Sequence, residues 1–124
     1  MEHWGGFLEI AHSLAKVDEE ASLRSAVGRA YYALFGTARD YLEEQQYPFK
    51  GTGEDHTLVW TYLRRKKKRE LVRVADEGER LRSFRRWADY DLMSRARLRD
   101  DVHAQLGKVE TVMGLLHAEF SRSD

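Results

Sequence analysis

The sequence predicts an all-α protein, an antiparallel up-and-down bundle of four to five helices built by a single domain over residues 1–124. Three observations carry this expectation. Apolar residues recur at spacings of three and four through most of the 124 residues, the period of helices that bury one face. No segment alternates apolar and polar residues for long enough to be a strand. The single Pro is Pro48, within Tyr47-Pro48-Phe49-Lys50-Gly51-Thr52-Gly53, so strong punctuation is confined to one loop. The length is near the commonest domain size and suffices to bury a core without covalent staples.

The first helix is expected from Gly6 to Lys16, with Phe7, Ile10, Leu14 and Val17 on one face. The second runs from Ala21 to Gln46, with Leu23, Val27, Ala30, Leu34, Ala38 and Tyr41 as its stripe. At ~1.5 Å per residue such a helix spans a small domain. Gly28, Tyr32 and Gly36 follow one another at spacing four on a neighbouring ridge. Each glycine costs about 1 kcal/mol in a helix interior. The ridge therefore suggests a close backbone approach; the alternative is tolerated glycines on a wet face.

The third helix starts near Asp55, whose carboxylate is a plausible cap, and carries Leu58, Val59, Tyr62 and Leu63. The fourth starts near Arg69 and places Leu71, Val74, Gly78, Leu81, Phe84 and Ala88 on one stripe. Asp89-Tyr90-Asp91 reads as a capped break. The last helix is expected from Ser94 to Ser121, with Leu98, Val102, Leu106, Val109, Met113, Leu116 and Phe120 facing inward. Packing of these stripes, more than local propensity, must stabilise the bundle.

Composition removes several function classes. With no Cys, disulfides, thiolate metal sites and cysteine nucleophiles are excluded. The five His residues include no pair at i+3 or i+4 and no HExxH, so no metal or other cofactor is expected. Gly51-Thr52-Gly53 lacks the lysine and the preceding strand of a phosphate loop. No apolar run approaches the ~20 residues of a membrane span. The opening Met1–Gly6 has no basic region followed by an apolar one, so a signal peptide is not expected and the cytoplasm is.

Twenty-one Lys+Arg balance 21 Asp+Glu, yet the charge is segregated. Residues 64–86 hold eleven Lys/Arg against four acids, a local surplus of seven. Its core is the run Arg64, Arg65, Lys66, Lys67, Lys68 and Arg69, extended by Arg73. Adjacent cations repel and require solvent, acids or phosphates. These seven are the candidate nucleic-acid contacts; the competing reading is a solvated face that meets the chain's own acids or an acidic partner. Whether the run is a short break or a continuous helical face is left open by the sequence.

Gly28-Arg-Ala-Tyr-Tyr-Ala-Leu-Phe-Gly-Thr-Ala-Arg39 resembles the R-A-Y-Y-A-x-F-x-x-A segment of HEPN domains. His56, opening a helix after a Gly/Pro loop, matches that family's placement. Arg86-Trp-Ala-Asp-Tyr-Asp91 is similar to its R-x-A-D-Y segment and is followed by one long helix. The resemblance covers roughly residues 7 to 120. It implies a HEPN-like bundle, often a homodimer, in toxin–antitoxin or antiviral defence settings. It also implies a polar cluster of Arg29, Tyr32, His56, Arg86, Asp89 and Tyr90 where the second, third and fourth helices meet, with Asp89 pairing to Arg29 or Arg86.

Many members of that family are metal-independent RNases using an Arg and a His four to six residues apart, paired across a dimer. Here the matching Arg is Arg86 or Arg85, and the positions six residues on are Asp91 and Leu92. The resemblance is therefore to the branch whose Ala-Asp-Tyr replaces the catalytic His. The expected function is a non-catalytic binding or assembly module associated with RNA or a nucleotide, partnered by a second copy or a protein of the same operon. One alternative is an endoribonuclease in which Arg97 stabilises phosphorane charge and His103 is the base, meeting across a dimer. A further alternative is a purely protein-binding scaffold or antitoxin-like subunit.

Overall fold

A computed structural model describes residues 2–123. They form five helices: α1 Glu2–Ala15, α2 Glu20–Glu44, α3 Asp55–Arg65, α4 Arg69–Tyr90 and α5 Leu98–Ser123. None of the described residues is in a strand. α2 is the central rod and packs against each of the other four helices. Its predicted stripe from Leu23 to Tyr41 is buried, as are the predicted stripes of α4 and α5.

Contacts at the helix ends set the directions. Trp4 near the start of α1 donates to Asp40 near the end of α2, so these two run antiparallel. Arg24 at the start of α2 reaches the carbonyls of Trp87 and Ala88 at the end of α4. Gln105 of α5 donates to Glu77 of α4, and His12 of α1 pairs with Glu110 of α5. The four long helices thus alternate in direction, as expected. α3 departs from the alternation and runs alongside the second half of α2, with His56 near Tyr31 and Lys66 near Tyr41. The loop of residues 45–54 climbs back along α2, helped by the left-handed backbone at Gln46 and Gly51.

Several local expectations are corrected. On α1 Ala11 and Ala15 are buried, while Ile10 and, beyond the helix end, Val17 stand about half exposed. Small residues let α1 lie close on α2, and Gly36 receives the Trp4 indole: a β-carbon there would be 2.2 Å from the ring. The glycine ridge therefore accommodates a side chain rather than a backbone. Gly28 accommodates nothing, since a β-carbon there has no neighbour within 4 Å.

Asp55 does not cap its own helix. It is the first residue of α3, buried, and accepts the backbone N–H groups of Lys50 and Gly51, pinning the loop beneath. The basic run is a break, with Lys67 in the left-handed region at φ 56°. Asp89 and Tyr90 continue α4, and α5 begins only at Leu98. Asp91 turns the chain by accepting the Met93 N–H and does not cap α5. The last carbonyls of α4 are satisfied by Arg24, which meets the need of a helix C-terminus for cationic donors.

Candidate functional site

The residues Arg29–Phe35 lie where α3 and α4 press on α2. Tyr31 is buried, and its hydroxyl stands 2.6 Å from His56 Nδ1. Phe35 stacks on the same imidazole at 4.2 Å between centroids, and Trp60 closes the far side against Tyr31 and Phe35. His56 is aimed here because its neighbour Asp55 is anchored to the loop and lies 3.5 Å from Arg39. Burial pushes the Tyr31 hydroxyl well above its ordinary range. Burial, then the charges of Arg82 and Arg85, hold the His56 imidazole below its ordinary value. Both groups are thus neutral at physiological pH. One hydrogen bond joins the Tyr31 hydroxyl and Nδ1, its direction following the imidazole tautomer.

α4 supplies the cationic side. Arg82 donates to Thr57 Oγ1. Arg85 lies over the rings of Tyr32 and Tyr31 at 5.1 and 5.8 Å, and its Nε pairs with Asp89 at 3.0 Å. Between α2 and α4 this leaves a cleft of about 220 Å³ lined by Ser25, Gly28, Arg29, Tyr32, Arg85 and Asp89.

Of the six residues expected to cluster, Arg29, Tyr32 and Asp89 share this cleft. His56 adjoins it, its ring 6.2 Å from that of Tyr32. Arg86 and Tyr90 line a separate recess with Trp87, Asp91 and Leu92. The helical rotation of 100° per residue explains the split. Arg85 and Asp89, one turn apart, look toward α2, and Arg86 is turned away. The partner of Asp89 is accordingly Arg85, not Arg29 or Arg86, and the tyrosine bonded to His56 is Tyr31, not Tyr32. The sequence offered Arg85 only as the alternative to Arg86, and the expected cluster included neither Tyr31 nor Arg85. The signals were present: Tyr31 shares a row with Phe35, and Arg85–Asp89 is an i,i+4 pair of opposite charge.

The basic run divides into two groups. Arg64 is held by Asp76 and Glu79 at 2.7 and 2.6 Å. Lys66 lies over the rings of Tyr41 and Tyr47. Lys68 reaches the carboxylate of Glu119 at 3.0 Å. Glu119 is only 1% exposed; burial alone would raise its pKa, but Lys68 and Arg122 outweigh that and hold it below the ordinary range. Arg65, Lys67, Arg69 and Arg73, by contrast, are exposed, and none makes an ion pair with another described residue. Lys68, the residue before α4, makes no side-chain cap, so the first-turn N–H groups add to the positive end.

Arg97 lies in the connection before α5, not within it, and lines a shallow recess with Asp18, Glu20 and Asp100. His103 Nε2 donates to the Ala15 carbonyl at 3.0 Å, tying α5 to α1. Arg97 and His103 share no bond in the described chain. Among the described residues no three His, Asp or Glu side chains gather as a metal-holding group. No described helix is long and apolar enough to cross a membrane. Compared with family models, curated proteins and solved structures, the chain matches none.

Proposed function

We propose that this chain is a HEPN-like helical domain acting as a non-catalytic binding and assembly module, and that it holds RNA by its phosphates at the α3–α4 corner. The setting implied is a cytoplasmic defence or toxin–antitoxin-type system, with a second copy or an operon partner completing the assembly. The observation that carries the RNA reading is the exposure of Arg65, Lys67, Arg69 and Arg73 without a carboxylate partner among the described residues. Their neighbours Arg64 and Lys68 are both neutralised internally. Exposed cations gathered within residues 65–73 repel one another, and phosphates relieve that repulsion. Arg69 and Arg73 sit one turn apart on α4, a rise of about 6 Å that suits successive phosphates. Support for the kinship comes from one residue of the third segment, Asp89, sharing a cleft with Arg29 and Tyr32 of the first, with His56 adjoining.

The test is retention of single-stranded RNA as a function of salt. Four phosphate contacts give a log–log salt slope of about −3. Changing Arg65, Lys67, Arg69 and Arg73 together to Gln should abolish retention and leave the helical content intact. Unchanged retention refutes the corner as the contact. Cleavage of RNA in EDTA that is lost in His103→Ala would replace this reading with the nuclease.

A further inference from the structure

The connection from α4 to α5 is fixed through its backbone and bare in its side chains. Arg24 of α2 holds the carbonyls of Trp87, Ala88, Asp91 and Met93. Asp91 accepts the Met93 N–H, and Ser94 donates to Glu20 of α2. A segment tied down at so many points has a set shape. On it Leu92 is 97% exposed, Met93 74% and Tyr90 75%. The Tyr90 ring meets no other ring among the described residues, and its hydroxyl makes no bond to them. Single exposed apolar residues are ordinary. Three held together within residues 90–93 form a patch of the kind that marks an interaction site.

Beside the patch, Trp87 lines a recess of about 610 Å³ with Arg86, Tyr90, Asp91 and Leu92. Its indole is already immobilised. Arg24 lies over the ring at 4.1 Å, Arg95 at 4.6 Å, and Phe84 stacks on it at 5.7 Å. Fixed aromatic rings with Arg and Met around them are the composition of an interface centre, and methionine adapts to what it meets.

The surrounding charge selects the occupant. Arg86 borders the recess and Arg95 lies over Trp87. Both are exposed, and neither pairs with a carboxylate among the described residues. Arg97 and Arg99 continue the positive charge along the chain, again without an ion pair. Of the two intervening acids, Asp89 is taken by Arg85 and Asp91 by the Met93 amide. A two-fold pair built on this patch would set arginine rim against arginine rim, and facing like charges are costly. A bilayer would meet Leu92 and Met93 but leave the recess unfilled. The surface fits a polypeptide that carries apolar side chains and carboxylates together.

We propose that the α4–α5 corner docks an acidic amphipathic segment of a partner protein, its apolar side chains in the recess and against Leu92 and Met93, its carboxylates on Arg86 and Arg95. Such a segment belongs to the protein partner of the function proposed above, on which this docking rests. Its surface lies at the end of α4 opposite the RNA corner.

Panning a library of random peptides of about 16 residues, enough for four helical turns, against the immobilised intact chain tests it. Fluorescence anisotropy then measures the affinity of each enriched peptide. The enriched sequences should interleave Asp or Glu with Leu, Phe or Trp, and their binding should weaken as salt rises. Changing Leu92 and Met93 together to Ser should weaken binding at least about tenfold without lowering the melting temperature, since both side chains are exposed. Changing Arg86 and Arg95 together to Gln should weaken it as much. Peptide binding should survive the change of Arg65, Lys67, Arg69 and Arg73 to Gln, and RNA retention should survive Leu92→Ser with Met93→Ser, so either surface can fail alone. The proposal is overturned if no peptide is enriched, if the enriched peptides are neutral or basic, or if they bind the Leu92/Met93 variant like the parent. A dimer seen in sedimentation and dissolved by the same two changes would give the patch to a second copy. Retention on phosphatidylserine vesicles lost in that variant would give it to a membrane. Either result also overturns the proposal.

Discussion

Replacing Gly78 by Ala would place a β-carbon 2.5 Å from Cη2 and Cζ3 of Trp60 and 2.7 Å from its Cε3. Ordinary carbon contacts begin about 1 Å further out. Trp60 is 2% exposed and is hemmed in by Tyr31 and Phe35 at 6.4 and 6.3 Å between centroids, so the indole has no empty space to enter. Overpacking of this kind costs about 1–3 kcal/mol, and three short contacts from one added carbon belong at the upper end. The helix-propensity gain of alanine over glycine returns about 1 kcal/mol. The net expectation is a loss of about 1–2 kcal/mol. Gly28→Ala makes the same chemical change within a helix where the β-carbon meets nothing, and should gain up to about 1 kcal/mol. The two variants should therefore differ by about 1–3 kcal/mol. Urea unfolding followed by circular dichroism measures this as opposite shifts of the midpoint at constant slope. If Gly78→Ala were as stable as the parent, or if both midpoints moved the same way, the packing of Trp60 against Gly78 would be wrong.

Three further outcomes follow from other contacts. Arg24→Met removes donors to the carbonyls of Trp87, Ala88, Asp91 and Met93 while keeping the apolar stem. It should cost about 1–2 kcal/mol and speed amide exchange over residues 88–93. Because the folded-state pKa of His56 lies below its ordinary 6.5, the unfolded chain takes up this proton first as pH falls. Stability from this group is full above 6.5 and is lost as pH drops through the lowered folded value; His56→Gln should flatten that limb of a melting-temperature profile. Glu119 is also held below its ordinary 4.5. Its contribution is full above 4.5 and is lost as pH falls through the folded value, and Glu119→Gln should remove that acid limb from the same profile.

Much of the helical framework was legible because periodicity reports burial directly. The stripes from Leu23 to Tyr41, Leu71 to Ala88 and Leu98 to Phe120 are all buried as their spacing required. The same rule failed at the first helix, where Ile10 and Val17 have the right spacing but Ala11 and Ala15 are the buried residues and α1 ends before Val17. Close helix approach rewards small side chains, and hydropathy does not rank alanine above isoleucine. In the candidate site, Arg29, Tyr32 and Asp89 converge on one cleft, while Arg86 and Tyr90 stand in another. A rotation of one residue along α4 separates these outcomes, and short motifs do not encode that rotation.

The amino-acid order by itself determined that the chain would be helical, where the long helices would run and that positive charge would gather between residues 64 and 86. Those properties depend on neighbours within a few turns. Only the tertiary structure decided which cations remain free. Arg64 and Lys68 look like Arg65 and Lys67 in the sequence, but Asp76, Glu79 and Glu119 come back from later helices to neutralise the first two. Lys68 and Glu119 are 51 positions apart, and a Coulomb partner is chosen by distance in space, which only packing sets.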